Sequence, residues 1–469
     1  MSIDIRRGIR LSLALAWLLF SGLAQAITHV ETAQLLNHRH QDAGAACLDN
    51  SPRELGCASP DNRGLSRDLS TSRPRLLQVA SNGTGAMLVP VQSDTVKQKD
   101  FVHPGILVTV AQIEYVRNHL ELAPWKEAFY DAVVSQYADL SYQPHPWEEV
   151  ECGSYSNPDK GCSDEVGDAQ AAYTQALLWL YTKDKRYAAN TVAIINAWAT
   201  TLKRGHVNSN AALQASWAAE LFTRAAELVK YTYSEWPQPE KDKVTRMFRE
   251  QYQPDIERVF TQSGYNCYTQ NWQASATEAL LNISVFNKDT LLFDEAVSRW
   301  RGLIPAYIYI ASDGPLPKRA PWCSVSDQQI VDHWNHPKAF VEGLTRETCR
   351  DLEHTAYGLA ALINAAETAR VQGVDLYDDP ASKSKERLTK AMELHSLYQN
   401  GGSDLASLCE QPLTLSTSGT FEIGYNHYAI RLAAVLPHTE VFLNKTRPTR
   451  VRFHYMWETL THGLIGDPH

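Results

Sequence analysis

The feature that most constrains this chain is a train of alanine- and leucine-rich segments, each about one helix long. Residues 168–181 place Ala172, Ala176, Leu177 and Leu180 on one face at the spacing of helical turns. Residues 189–202, 211–231, 241–260, 272–286, 291–310 and 353–371 repeat the pattern. Thr109 stands where it would cap an earlier helix through Ile113, Val116 and Leu120. Short loops join the segments, as in stacked helical hairpins. Period-two alternation is sparse before residues 413–423, and there the run is short. The pattern predicts an all-α domain. Hairpins closed into a ring and hairpins in an open solenoid give the same periodicity.

The ends of the chain read differently. Arg6, Arg7 and Arg10 precede an apolar run over 11–23, and Ala24-Gln25-Ala26 follows as a small-x-small cleavage site. The run is too short and too poorly flanked to span a membrane. Residues 1–26 are therefore expected to be an export signal, and the mature chain periplasmic or secreted, with no membrane partner. Residues 27–100 are polar, with little periodicity, and read as a disordered extension. The folded domain is expected over 101–469. Eight cysteines fit an oxidising compartment. Cys47 and Cys57 are close in sequence, as are Cys152 and Cys162, while Cys323 and Cys349 bracket a loop-rich segment; the pairing stays open. There is no Cys-x-x-Cys pair and the histidines lack ligand spacing, so no metal site is expected.

A net charge of −9 gives no global basic field for nucleic acid, and an acidic polymer would have to meet a local basic patch. Twelve Trp and 21 Tyr offer stacking platforms for sugars, although large helical proteins also bury many rings. No Gly-x-Ser-x-Gly elbow, P-loop or dinucleotide fingerprint is present.

Two segments concentrate groups suited to binding a carboxylate and moving a proton beside it. In Cys349-Arg350-Asp351-Leu352-Glu353-His354-Thr355, with Tyr357 beyond, Arg350, His354 and Tyr357 share a face if the helix starts this early. The plain alternative is an Arg350 pair with Asp351 or Glu353 and a core histidine. In Gly424-Tyr425-Asn426-His427-Tyr428, Gly424 would permit a tight bend. Asn271, before Trp272, and Asn210, before Ala211, are each a helix cap or a donor facing a cleft. His333-Trp334-Asn335-His336 reads as a substrate-facing loop rather than a metal site.

With these residues in view, the chain resembles the alginate lyase family, polyuronate lyases built on a helical toroid. The resemblance runs from about Phe101 to His438. It is carried by Phe101-Val102-His103-Pro104-Gly105, Asp168-Ala169-Gln170-Ala171-Ala172-Tyr173, Asn196-Ala197-Trp198, Asn271-Trp272, residues 349–355, Gln372-Gly373-Val374-Asp375-Leu376-Tyr377 and residues 422–428. Within that group it is most similar to polysaccharide lyase family 38. The resemblance implies an (α/α) toroid or incomplete barrel with a central cleft, no cofactor, and an anionic polysaccharide as the partner of a monomeric enzyme. Better-known members carry an adjacent Asn-His pair. Here Asn271 is followed by Trp272, so the histidine role passes to His354.

The chemistry implied is β-elimination. The C5 carboxylate is neutralised by donors and positive charge, a base takes the C5 proton, and an acid protonates the leaving O4. Asn271 and Arg350 fit the first task, with His354 as a further donor or as base. Tyr425 is the first choice for proton carrier and Tyr357 the second, with Asn210, Trp272, His427 and Tyr428 beside the substrate. Mannuronate and glucuronate call for syn elimination, guluronate for anti. Two other classes stay open on sequence. One is a glycosidase using two of Asp327, Asp332, Glu342, Asp351 and Glu353; the other is a glycan-binding protein without turnover.

Overall fold

A computed structural model describes residues 100–262, 267, 270–402, 408–415, 421–449 and 453–466. The expected signal segment, nearly all of the polar extension, Cys47 and Cys57 lie outside these residues. Helices of nine or more residues are numbered in chain order. They are α1 Val110–Asn118, α2 Trp125–Val134, α3 Cys162–Thr182, α4 Lys185–Thr201, α5 Ala211–Thr232 and α6 Gln238–Met247. Then come α7 Asn271–Asn287, α8 Thr290–Tyr307, α9 Leu352–Val371, α10 Ser384–Gln399 and α11 Pro437–Thr446.

Composition sorts these helices into two layers. In α3, α5, α7 and α9 nearly every position is buried, and their alanines let the backbones approach closely. These four pack side by side in order, and form the inner layer. On the outer side α4 packs on α3 and α8 on α7, while α6 buries only Val244 and Met247. Short helices at Glu422–Tyr425 and Glu458–His462 carry the ring on from α9, and α1 and α2 return it to α3. The architecture is an (α/α) toroid. Among the described residues no helix is long and apolar enough to cross a membrane.

Local chemistry explains the helix starts. Thr109 caps α1 by accepting from the Gln112 N–H at 3.2 Å, as its position in the sequence predicts. Asp184, Asp289 and Asp351 cap α4, α8 and α9 in the same way. The helix expected over 241–260 is broken: α6 stops at Met247, a π turn covers Phe248–Tyr252, and short helices follow. Pro254 explains the break, since it has no N–H to continue the ladder. No strand forms among the described residues of 413–423, where Glu422 and Ile423 are helical. The strands instead are β1 Val150–Cys152, β2 Asp159–Lys160 and β3 His206–Val207, in the order β2-β1-β3. β1 pairs antiparallel to β2 and parallel to β3.

Among the described residues three disulfides form: Cys152–Cys162, Cys267–Cys323 and Cys349–Cys409. Cys323 and Cys349 thus bracket their segment without being joined to each other.

Candidate active site

Each inner helix is followed by an outer one running back, so α3, α5, α7 and α9 all begin at the same end of the ring. The loops before them are laced together there. The Asn210 N–H donates to the Cys152 carbonyl at 2.9 Å and Gln214 Nε2 to the Cys162 carbonyl at 3.0 Å. Arg346, almost fully buried, donates to the carbonyls of Cys267 and His333. Four helix N-termini with their partial positive charge converge on this end, which suits an anionic ligand.

Glu347 joins the start of α7 to the start of α9. Its carboxylate is sealed from solvent. One oxygen accepts from Asn271 Nδ2 at 2.7 Å and from Arg350 Nη1 at 3.3 Å. The other accepts from the Asn271 N–H at 2.9 Å and the Tyr307 hydroxyl at 3.1 Å. Burial raises the Glu347 carboxyl above the ordinary glutamate value, while Arg350, His354 and the Asn271 bonds act against that rise. Tyr307 reaches Glu347 by crossing Gly358, where a Cβ would fall 2.0 Å from its hydroxyl. Only glycine leaves that path open.

Arg350 precedes the helix rather than standing in its first turn, because Asp351 is the N-cap. The expected grouping still forms. Arg350 Nη2 lies 2.9 Å from His354 Nε2, and His354 Nδ1 lies 2.7 Å from Asp351 Oδ2. A guanidinium only donates, so Nε2 is the acceptor and Nδ1 carries the proton toward Asp351. Burial works against ionisation of Asp351, but the His354 bonds and the Arg350 charge hold it below the usual carboxylate range.

One turn on, the Tyr357 hydroxyl donates to Glu353 Oε1 at 2.7 Å. Its ring stands in an aromatic box of Trp217 at 6.0 Å, Phe453 at 5.8 Å, Tyr455 at 5.8 Å and His354 at 5.7 Å. Phe453 and Tyr455 are held there by their neighbour His454, whose carbonyl accepts from Arg224 Nη1 at 2.7 Å and Asn364 Nδ2 at 3.1 Å.

The other expected site residues stand differently. Asn271 is not a cap; it is the first residue of α7, fully buried, with its amide on Glu347 rather than facing a cleft. Trp272 beside it is half-buried against the core. Asn210 is the N-cap of α5 without a side-chain capping bond. Gly424 is helical and makes no bend; it allows close packing, since a Cβ would meet Met392 Sδ at 2.7 Å and Ile363 Cδ1 at 3.2 Å. Ile363 is nine residues beyond His354, about 13 Å along α9.

Tyr425, next to Gly424, is therefore set beside Arg447, 5.8 Å from its ring, and not beside Arg350. Burial and Glu440 push its phenol up despite Arg447, the wrong direction for a base. His427 stacks on Tyr377 at 3.8 Å, and burial pushes it down to about 4. Tyr428 is fully buried and donates to the Tyr377 carbonyl at 2.7 Å. These three residues form a second cluster, and the structure does not bring them to Arg350 and His354. Trp334 of the expected substrate-facing loop is buried after the helix Asp327–His333.

The carboxylates of the glycosidase alternative all have partners, Asp351 with His354 and Arg350 and Glu353 with Tyr357. Asp327 pairs with Arg319, Glu342 with Lys390, and Asp332 accepts from Gln328. Among the described residues no group of three or more His, Cys, Asp or Glu is arranged to hold a metal.

The family model for alginate lyase matches residues 156–404, just over half of the chain and the stretch that holds both Glu347 and the start of α9. The chain belongs to the alginate lyase family. It is a polysaccharide lyase. Solved structures share the fold of this lyase. Alginate lyase A1-III of Sphingomonas species A1, as a tyrosine-to-phenylalanine variant complexed with tetrasaccharide, superposes with a TM-score of 0.56 at 15% identity. That match covers 80% of this chain and 99% of that one. An alginate lyase from Bacteroides ovatus gives a TM-score of 0.50 at 12% identity, covering 78% of this chain and all of the other. No curated protein matches the sequence.

Sequence reasoning missed Glu347, Trp217, Phe453 and Tyr455 in this lyase. Glu347 had a signal, because Glu-x-x-Arg into Arg350 is the spacing of a local ion pair. The aromatic residues had none: Trp217 and Phe453 are 236 positions apart yet stack at 4.3 Å.

Proposed function

We propose that this lyase cleaves mannuronate-rich alginate by syn β-elimination, with Arg350 at the C5 carboxylate, His354 holding Arg350 in place and Tyr357 carrying the proton. The observation that supports it is the placement of Arg350, His354 and Tyr357 at the opening of α9, the first two partly open to solvent. Arg350 supplies the charge that stabilises the enolate-like intermediate, aided by the helix N-termini around it. Glu347 holds Arg350 from below, and Asn271 holds Glu347. His354 presents its Nε2 lone pair to Arg350, so it orients that guanidinium and is not free to take the C5 proton.

Tyr357 is backed by a proton acceptor. Its phenol proton moves to Glu353 as the phenolate takes the C5 proton. The new phenol proton goes to the leaving O4, and Glu353 returns the first. One group on one face serves both transfers, as mannuronate and glucuronate require and guluronate does not. The three disulfides among the described residues support a location outside the cytoplasm, where such bonds persist.

The test is ultraviolet absorbance of the unsaturated product on polymannuronate, polyguluronate and β-1,4-glucuronan in parallel. A rise fastest on polymannuronate is expected. A rise on polyguluronate alone would discard the syn geometry, and one confined to glucuronan would change the substrate and keep the mechanism. New reducing ends without absorbance would return attention to the carboxylates.

A further inference from the structure

A groove on the outer wall lies between the end of α4 and the end of α6. It is lined by Ala199, Leu202 and Met247 on its floor and by Lys203, Lys243 and Arg246 on its rim, with Glu250 the one acid in the lining. Leu202 and Met247 are almost fully buried, so the floor is fixed and the surface the groove presents comes mainly from its polar and charged rim. The groove holds about 260 Å³ of space open to water, against the roughly 10–15 Å³ a single water needs.

We propose that this groove is a second polyuronate-binding site, taking a stretch of the same polymer outside the catalytic cleft. The inference rests on the substrate being a polyuronate. Three cations and one acid face one concavity, while the chain as a whole carries a net charge of −9. None of the three basic side chains forms an ion pair or hydrogen bond with another described residue, and Glu250 pairs with Arg249 outside the lining.

Cations near helix C-termini commonly offset the helix dipole. Arg246 stands in the last turn of α6 and serves its dipole in this way, but a dipole does not require cations from two elements to face one space. The three charges instead converge from two elements on a shared space. A polyuronate carries a carboxylate on every ring, so one stretch of it can meet all three cations at once.

The position fits as well. Outer helices end where inner ones begin, so the groove stands at the same end of the ring as Arg350. Residues 202–210 run from the groove to the N-cap of α5. A long polymer held at both places gains effective concentration that a short oligomer cannot.

The test is the triple variant Lys203→Glu, Lys243→Glu, Arg246→Glu, all exposed positions outside the catalytic machinery. KM and kcat are measured on long polymer and on tetramer of whichever uronan the wild type cleaves. The expected result is a KM for polymer raised about fivefold or more, with kcat and the tetramer KM unchanged. An unchanged polymer KM overturns the proposal, and so does an equal rise on polymer and tetramer. A wrong uronate in the earlier reading shows up in the wild type's own preference and leaves this comparison intact. Retardation in uronan-containing gels, run in a Tyr357→Phe background, gives the same answer without turnover: loss on charge reversal supports the site and unchanged mobility overturns it.

Discussion

Arg350 is open to solvent, yet its direction is set from a sealed position beneath it. Glu347 takes four hydrogen bonds from three elements, so its replacement is felt at once by Asn271, Tyr307 and Arg350. In Glu347→Gln a donor amide replaces an acceptor oxygen against a ring of donors. The expected cost is about 1–3 kcal/mol of stability, read by denaturant melts, with a fall in kcat/KM because Arg350 loses its anchor. The two tyrosines separate more sharply. Tyr357→Phe should lower kcat by at least about 100-fold while leaving KM and the circular dichroism spectrum near wild type. Tyr425→Phe should leave kcat near wild type, since its phenol sits with Arg447. A wild-type rate from Tyr357→Phe would remove that residue from the chemistry.

At the scale of elements, β3 is tied to α3 and to the helical segment after α6 through His206. Its Nε2 lies 2.9 Å from Glu165 and its Nδ1 3.2 Å from Asp255, all three buried. Burial works against the charged imidazole, but Glu165 and Asp255 outweigh it and raise His206 to about 9 from 6.5. A raised histidine stabilises the fold fully below its unfolded value and loses that contribution as pH rises through the folded one. The loss should therefore fall between pH about 6.5 and about 9 and amount to on the order of 3 kcal/mol. Thermal melts across that window should show a decline in wild type that His206→Gln lacks; parallel curves would dismiss the linkage. Element boundaries were mostly open to sequence, because caps and alanine faces are local. The break after Met247 followed from Pro254, a residue plain in the sequence whose effect the periodicity had masked.

Over the whole molecule two electrostatic effects oppose each other. The net charge of −9 repels a polyanion, while Arg350, the helix N-termini and the outer groove attract it. The Debye length is about 30 Å at 0.01 M salt and about 8 Å at 0.15 M. Added salt first screens the long-range repulsion and only later the contacts within the cleft. KM on long polymer should therefore pass through a minimum as ionic strength rises, with kcat flat. A KM that rises from the lowest salt would mean that local attraction dominates throughout.

By itself the sequence determined the helical class, the succession of hairpins and the segment around Arg350 and His354. Each rests on residues within about two turns of one another, and local spacing expresses such relations. The sequence also offered Tyr425, His427 and Tyr428 on the same grounds of composition. Only the tertiary structure separated the two groups, by setting Gly424 against Ile363, well along α9 from His354. It alone brought Trp217 and Phe453 around Tyr357, and buried Asn271 against Glu347. Those relations depend on which helix faces the centre of the ring, and ring closure is a packing outcome that no local period encodes.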